Sequence, residues 1–100
     1  MTKALDQRRY SAPQDIIESI SRFRLGALSL AATLDRLWAE IHALPEALSG
    51  VVGDLEDQWS EIEAVYALAA EAEQPRLDPG QASDVHASMD AMIAIMERAL

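Results

Sequence analysis

Nine apolar positions, Ile16, Ile20, Phe23, Ala27, Leu30, Leu34, Leu37, Ile41 and Leu44, step along the chain by three and four without losing register. Side chains at that spacing share one face of an α-helix, whereas on a strand they would scatter over both faces. The segment therefore reads as helix and not as sheet. A single helix through all of these positions would be about 46 Å long at 1.5 Å per residue, against a radius of gyration of about 13 Å for a globule of 100 residues. Within the series, Arg22-Phe23-Arg24-Leu25-Gly26 has the marks of a helix end. Its cations suit the negative end of the dipole, its Gly can turn left-handed, and Ser29 is placed to cap the next helix. The pattern predicts helices over 13–24 and 29–44. A continuous rod is the alternative, because one Gly inside a helix costs only about 1 kcal/mol relative to Ala.

The rest of the chain is punctuated in the same way. Ser11-Ala12-Pro13-Gln14 reads as the start of the first helix, leaving residues 1–11 as a flexible lead. Pro45 and the glycines at 50 and 53 predict a loop holding at most one helical turn. From Asp54, a good N-cap, the positions Leu55, Trp59, Ile62, Tyr66 and Ala69 define a third helix over 54–73. Asp78-Pro79-Gly80-Gln81 opens a fourth, 79–99, whose stripe of Val85, Met89, Met92 and Met96 reads as core. The fold class is all-α. Four amphipathic helices with short links make an antiparallel four-helix bundle, a single domain over 12–100. The expected core includes Ile20, Phe23, Leu34, Ile41, Leu55, Trp59, Ile62 and Tyr66.

Half of the hundred residues are hydrophobic, but eighteen of these are Ala, so the core is lean for a chain that must fold alone. The absence of Cys removes disulfides, thiolate metal sites and thiol chemistry. No stretch approaches 18 uninterrupted apolar residues, and the basic start is not followed by an apolar block, so neither a membrane span nor a secretory signal is expected. The expected location is the cytoplasm.

Charge is distributed unevenly. Residues 1–36 carry a net +2 and residues 37–100 a net −11. From Leu37 to Pro75 there are nine carboxylates and no Lys or Arg. Such a field repels nucleic-acid phosphates and attracts basic proteins.

Motifs for chemistry are missing. His42 and His86 are isolated and belong to no metal-ligand pair, and Glu40 and His42, two apart on a helix, diverge. The glycines fit no phosphate-binding loop, calcium loop or nucleophile elbow. Asp54 and Asp84 precede Leu55 and Val85, where an acyl carrier would place its prosthetic-group Ser. Trp38 and Trp59 lack the Trp-x-Gly turn of small secreted helical hairpins. The sequence predicts no catalytic residue, no metal and no cofactor.

The third helix is the candidate functional element. If Leu55, Trp59, Ile62 and Tyr66 face inward, Asp57, Glu61, Leu68 and Glu71 face out, with Asp54 and Val65 on one flank. Residues 64–70 are apolar all round. Carboxylates on the first half and apolar groups on the second suit a protein interface. The alternative is a central helix buried on several sides.

Phe23-Arg24-x-Gly26-x-Leu28-Ser29-Leu30 and Trp59-x-x-Ile62-Glu63-x-Val65-Tyr66-Ala67 resemble a pattern in small acidic helical immunity proteins of bacterial polymorphic-toxin systems. The resemblance spans roughly residues 16–70. It implies a non-catalytic protein that binds a cognate, basic toxin domain in the bacterial cytoplasm. The free chain is expected to be a monomer or homodimer. It assigns no contact residues. Asp54, Asp57, Glu61, Val65, Leu68 and Glu71 are candidates from the charge and helix pattern alone. A homo-oligomeric helical scaffold or regulator is the competing expectation, since regular four-and-three spacing also serves helices that pack between chains.

Overall fold

The computed structural model describes the backbone of residues 2–99 and the side chains of residues 13–99. Helices α1 (Thr2–Arg24), α2 (Leu30–His42), α3 (Val52–Glu71) and α4 (Pro79–Ala99) pack as an antiparallel bundle, with a short 3-10 helix, Glu46–Val51, between α2 and α3. Each helix neighbours the next, α4 closes on α1, and the pairs α1/α3 and α2/α4 lie across the diagonals.

Gly26 divides the long apolar series. It takes φ +80°, and the amides of Gly26 and Ala27 return to the carbonyls of Phe23 and Arg22 at 3.0 and 2.9 Å, a Schellman end to α1. Ser29 then caps α2, its hydroxyl accepting from the Ala32 amide at 3.1 Å. The continuous rod is thereby excluded. At the start of α4 the Asp78 carboxylate accepts from the Gln81 amide at 2.7 Å and the Gln81 side chain accepts from the Asp78 amide at 3.0 Å, the reciprocal box expected there.

Two predicted starts move. The backbone is helical from Thr2, so Pro13 stands inside α1 and Ser11 is not its cap. The expectation of a flexible lead over 1–11 concerns Met1 and side chains that lie outside the described residues. Asp54 is not the cap of α3 either. The 3-10 helix leads directly into α3, whose N-cap is Val51 with no side-chain bond, so the preceding turn replaces a polar cap. α3 also ends at Glu71, two residues early, in a second Schellman turn. Here Glu73 takes φ 54° and the Gln74 amide reaches the Ala69 carbonyl at 2.9 Å.

The core is continuous from Ile16, Ile20, Leu37 and Ile41 across Leu55 and Ile62 to Val85, Met89, Met92 and Met96. The methionine stripe is thus core, with three unbranched side chains filling the gap left by an Ala-rich composition. Phe23 and Trp59 are half-buried against this cluster. Polar side chains tie the helices at particular points. Buried Ser19 donates to both Glu40 carboxylate oxygens, at 2.8 and 2.9 Å, joining α1 to α2. The Arg24 guanidinium reaches Asp90 at 2.7 Å, the His86 carbonyl at 3.1 Å and His86 Nδ1 at 3.2 Å, joining α1 to α4. Among the described residues, no helix is long and apolar enough to cross a membrane.

Candidate functional site

α3 is positioned by its two neighbours. On one side the Trp59 indole N–H donates to the Leu34 carbonyl of α2 at 2.8 Å. Farther along the same seam, His42 Nε2 lies 3.4 Å from a Glu56 oxygen. On the other side α3 and α4 leave a shallow groove of about 410 Å³, with Asp54, Asp57 and Gln58 on one wall and Ala91, Ala94, Ile95 and Arg98 on the other.

The candidate residues do form a stripe. Asp54, Asp57 and Glu61 are exposed and follow one another at spacings of three and four along the α4 flank, and Leu68 continues the line two turns later, 63% exposed. Glu71 is exposed beyond it, rotated toward the outermost face. Val65 differs. It is half-buried and packs on the core, so Leu68 is the apolar group the stripe presents to solvent.

The apolar second half is not enclosed. Ala64, Ala67, Leu68 and Ala70 are all exposed, and Tyr66, expected in the core, is 37% exposed. The cause is a difference in helix length: α2 has 13 residues and α3 has 20. The cross-seam contacts pair Trp59 with Leu34 and Trp38, and Glu56 with His42, which puts Leu30, the first residue of α2, level with about residues 63–68, so Tyr66 lies where α2 ends.

The carboxylates of the stripe form no ion pair among the described residues. Among the described residues the ion pairs are Glu18 with Arg22, Arg24 with Asp90, and His42 with Glu56, none of which involves Asp54, Asp57, Glu61 or Glu71. Arg98 lines the groove opposite Asp54 and Asp57 without pairing with either. The Glu40 carboxyl is displaced above its ordinary range. Burial pushes it upward, against the lowering effects of the Ser19 hydrogen bond and of Arg36, and Asp15 and Glu18 add to the rise. It sits in the α1/α2 seam, away from the stripe.

Both histidines are exposed. What the sequence did not reveal is the stack of His42, Trp38 and Trp59, with ring centroids 4.2 and 4.6 Å apart. Trp38 and His42 stand four apart on α2, a spacing that always brings two side chains together, and that was the available signal.

Comparison with protein-family models, with curated proteins and with solved structures finds no match.

Proposed function

We propose that this protein is a non-catalytic binding module, an immunity protein of the bacterial cytoplasm that neutralises a cognate basic toxin domain by covering it. The observation that carries the reading is the exposed stripe of α3, where Asp54, Asp57 and Glu61 form no internal ion pair among the described residues and lead to exposed Leu68. Beyond the favourable dipole end that Asp54 occupies in the first turn of α3, three like charges in a row bring the free chain self-repulsion, whereas an opposing basic surface would be steered by them and then held by Leu68. Rescue is the test. A toxin domain is expected to be encoded beside this gene; it should arrest growth when expressed alone and should not when this chain is co-expressed. Continued arrest despite soluble, folded chain would refute the reading.

The exposed second half of α3 favours one other reading, a homo-oligomeric scaffold in which Tyr66 and Leu68 are covered by another copy. Self-repulsion along the acidic stripe opposes it. Sedimentation separates the two, a concentration-independent monomer favouring the inhibitor.

A further inference from the structure

The seam between α2 and α3 carries a second surface, on the opposite flank of α3 from the acidic stripe. Trp59 is anchored there by its bond to the Leu34 carbonyl, and His42 by its Nδ1–H, which donates to the Trp38 carbonyl at 2.7 Å. Trp38 packs against both rings, so its indole is held in place, yet it remains 42% exposed. An aromatic ring that is already immobile loses little rotamer freedom when something binds to it, and rigid exposed Trp is a frequent anchor of protein interfaces.

Apart from His42, which Glu56 faces at 3.4 Å, the charged side chains that flank this ring are acidic. Asp35 lies one turn before Trp38 on α2, and Glu63 one turn after Trp59 on α3, both exposed. The single Arg of α2, Arg36, lies toward Glu40 on the α1 side. α3 contains no Lys or Arg.

We propose that this seam recognises an arginine of the partner, whose methylene stem lies along the exposed indole of Trp38 and whose guanidinium is received by Asp35 or Glu63. Arginine fits better than lysine because its planar, weakly hydrated head packs on aromatic surface and pairs with carboxylates in fork geometry, while an ammonium keeps its water. The proposal rests on the reading that the partner is basic, and adds where and by which side chain it is gripped.

The test uses the intact, isotope-labelled chain titrated with tetra-arginine amide and, separately, with tetra-lysine amide. The chain has two tryptophans, so two indole N–H signals report. The Trp38 signal should move more than that of Trp59, whose N–H is already engaged, and arginine should bind more tightly than lysine. Trp38→Leu should weaken arginine binding about two- to fivefold. Asp35→Lys with Glu63→Lys, at exposed positions, should weaken it as well, and keeps the test decisive if the Trp38 variant fails to fold. Equal affinity for the two peptides, or no movement of Trp38, overturns the proposal. Shifts confined to Asp54, Asp57 and Glu61 also overturn it but leave a basic partner standing, which the rescue experiment judges separately. Movement of Trp38 on concentrating the chain alone would assign the seam to a second copy.

Discussion

The two halves of α3 differ more in their neighbours than in their pattern. Both carry apolar residues on the inward stripe every three or four positions, yet Leu55 and Ile62 are fully buried while Tyr66 is 37% exposed. α3 packs on both α2 and α4, but α2 is the shorter helix, 13 residues against 20, and ends beside the second half of α3. Hydrophobic periodicity therefore states which residues could be buried. The length of the helix alongside decides which of them are, and what it leaves over is available to a partner.

Stability should divide along the same line. Leu55→Ala or Ile62→Ala should cost about 2 to 5 kcal/mol in urea denaturation, because each leaves a cavity between packed helices. Leu68→Ala should stay within about 0.5 kcal/mol, as surface substitutions do. An equal cost at Leu68 would break the comparison and mean that residue 68 is covered, by another copy or otherwise.

Smaller effects sharpen it. Trp59→Phe keeps an aromatic ring but removes the N–H that ties the first half to the Leu34 carbonyl, and should cost about 1 kcal/mol. At the far end the sign reverses. Glu73 holds a left-handed conformation with φ 54°, which penalises a side chain, so Glu73→Gly should stabilise by about 1 kcal/mol, read as a rise in the urea midpoint.

Much of this architecture was legible because caps and turns are local. Ser29, Asp78 with Gln81, and Gly26 each act within a few residues of themselves, and each does in the structure what its position suggested. The core stripe of α4 was equally plain from its spacing. The misses were of two kinds. Asp54 looked like a cap because nothing in its vicinity announces that the preceding 3-10 turn continues into α3. Tyr66, the Arg24 contacts to α4 and the Trp38 stack depend on which helices lie side by side and how far each extends, and those are properties of the assembled bundle. For the candidate site, the outward positions of Asp54, Asp57, Glu61 and Leu68 followed from the helical step, whereas Val65, on the flank, is half-buried against the core.

α2 itself, whose length sets the comparison, is held on its other side by a titrating contact. The Glu40 carboxyl lies above its ordinary value of 4.5 mainly through burial. Between 4.5 and its raised native value the folded protein retains a proton that the unfolded chain has released, so this group makes stability fall as pH rises through that interval. Glu40→Gln still offers Ser19 an acceptor and has no charge to desolvate. The variant should lose this part of the pH slope and be the more stable protein at pH 7, by thermal melts across pH 4 to 7. An unchanged slope would mean that Glu40 is solvated at the α1/α2 seam.

The smallest effect on folding is expected where the effect on binding should be clearest. Asp57→Lys with Glu61→Lys acts on two exposed side chains in no internal ion pair among the described residues, so stability should move by no more than about 0.5 kcal/mol. If the first half of α3 steers a basic partner, the same double reversal removes four units of charge difference from the encounter. Association should slow and its dependence on salt should flatten, because long-range attraction acts on the approach of the two proteins. Leu68→Ala should do the opposite, leaving the association rate alone and speeding dissociation, since a contact made only after docking is felt when the complex comes apart. Stopped-flow kinetics with the cognate toxin domain at low and high salt distinguish these outcomes. If both variants alter only dissociation, the acidic half is a contact surface like the apolar half, and α3 carries no division between steering and holding.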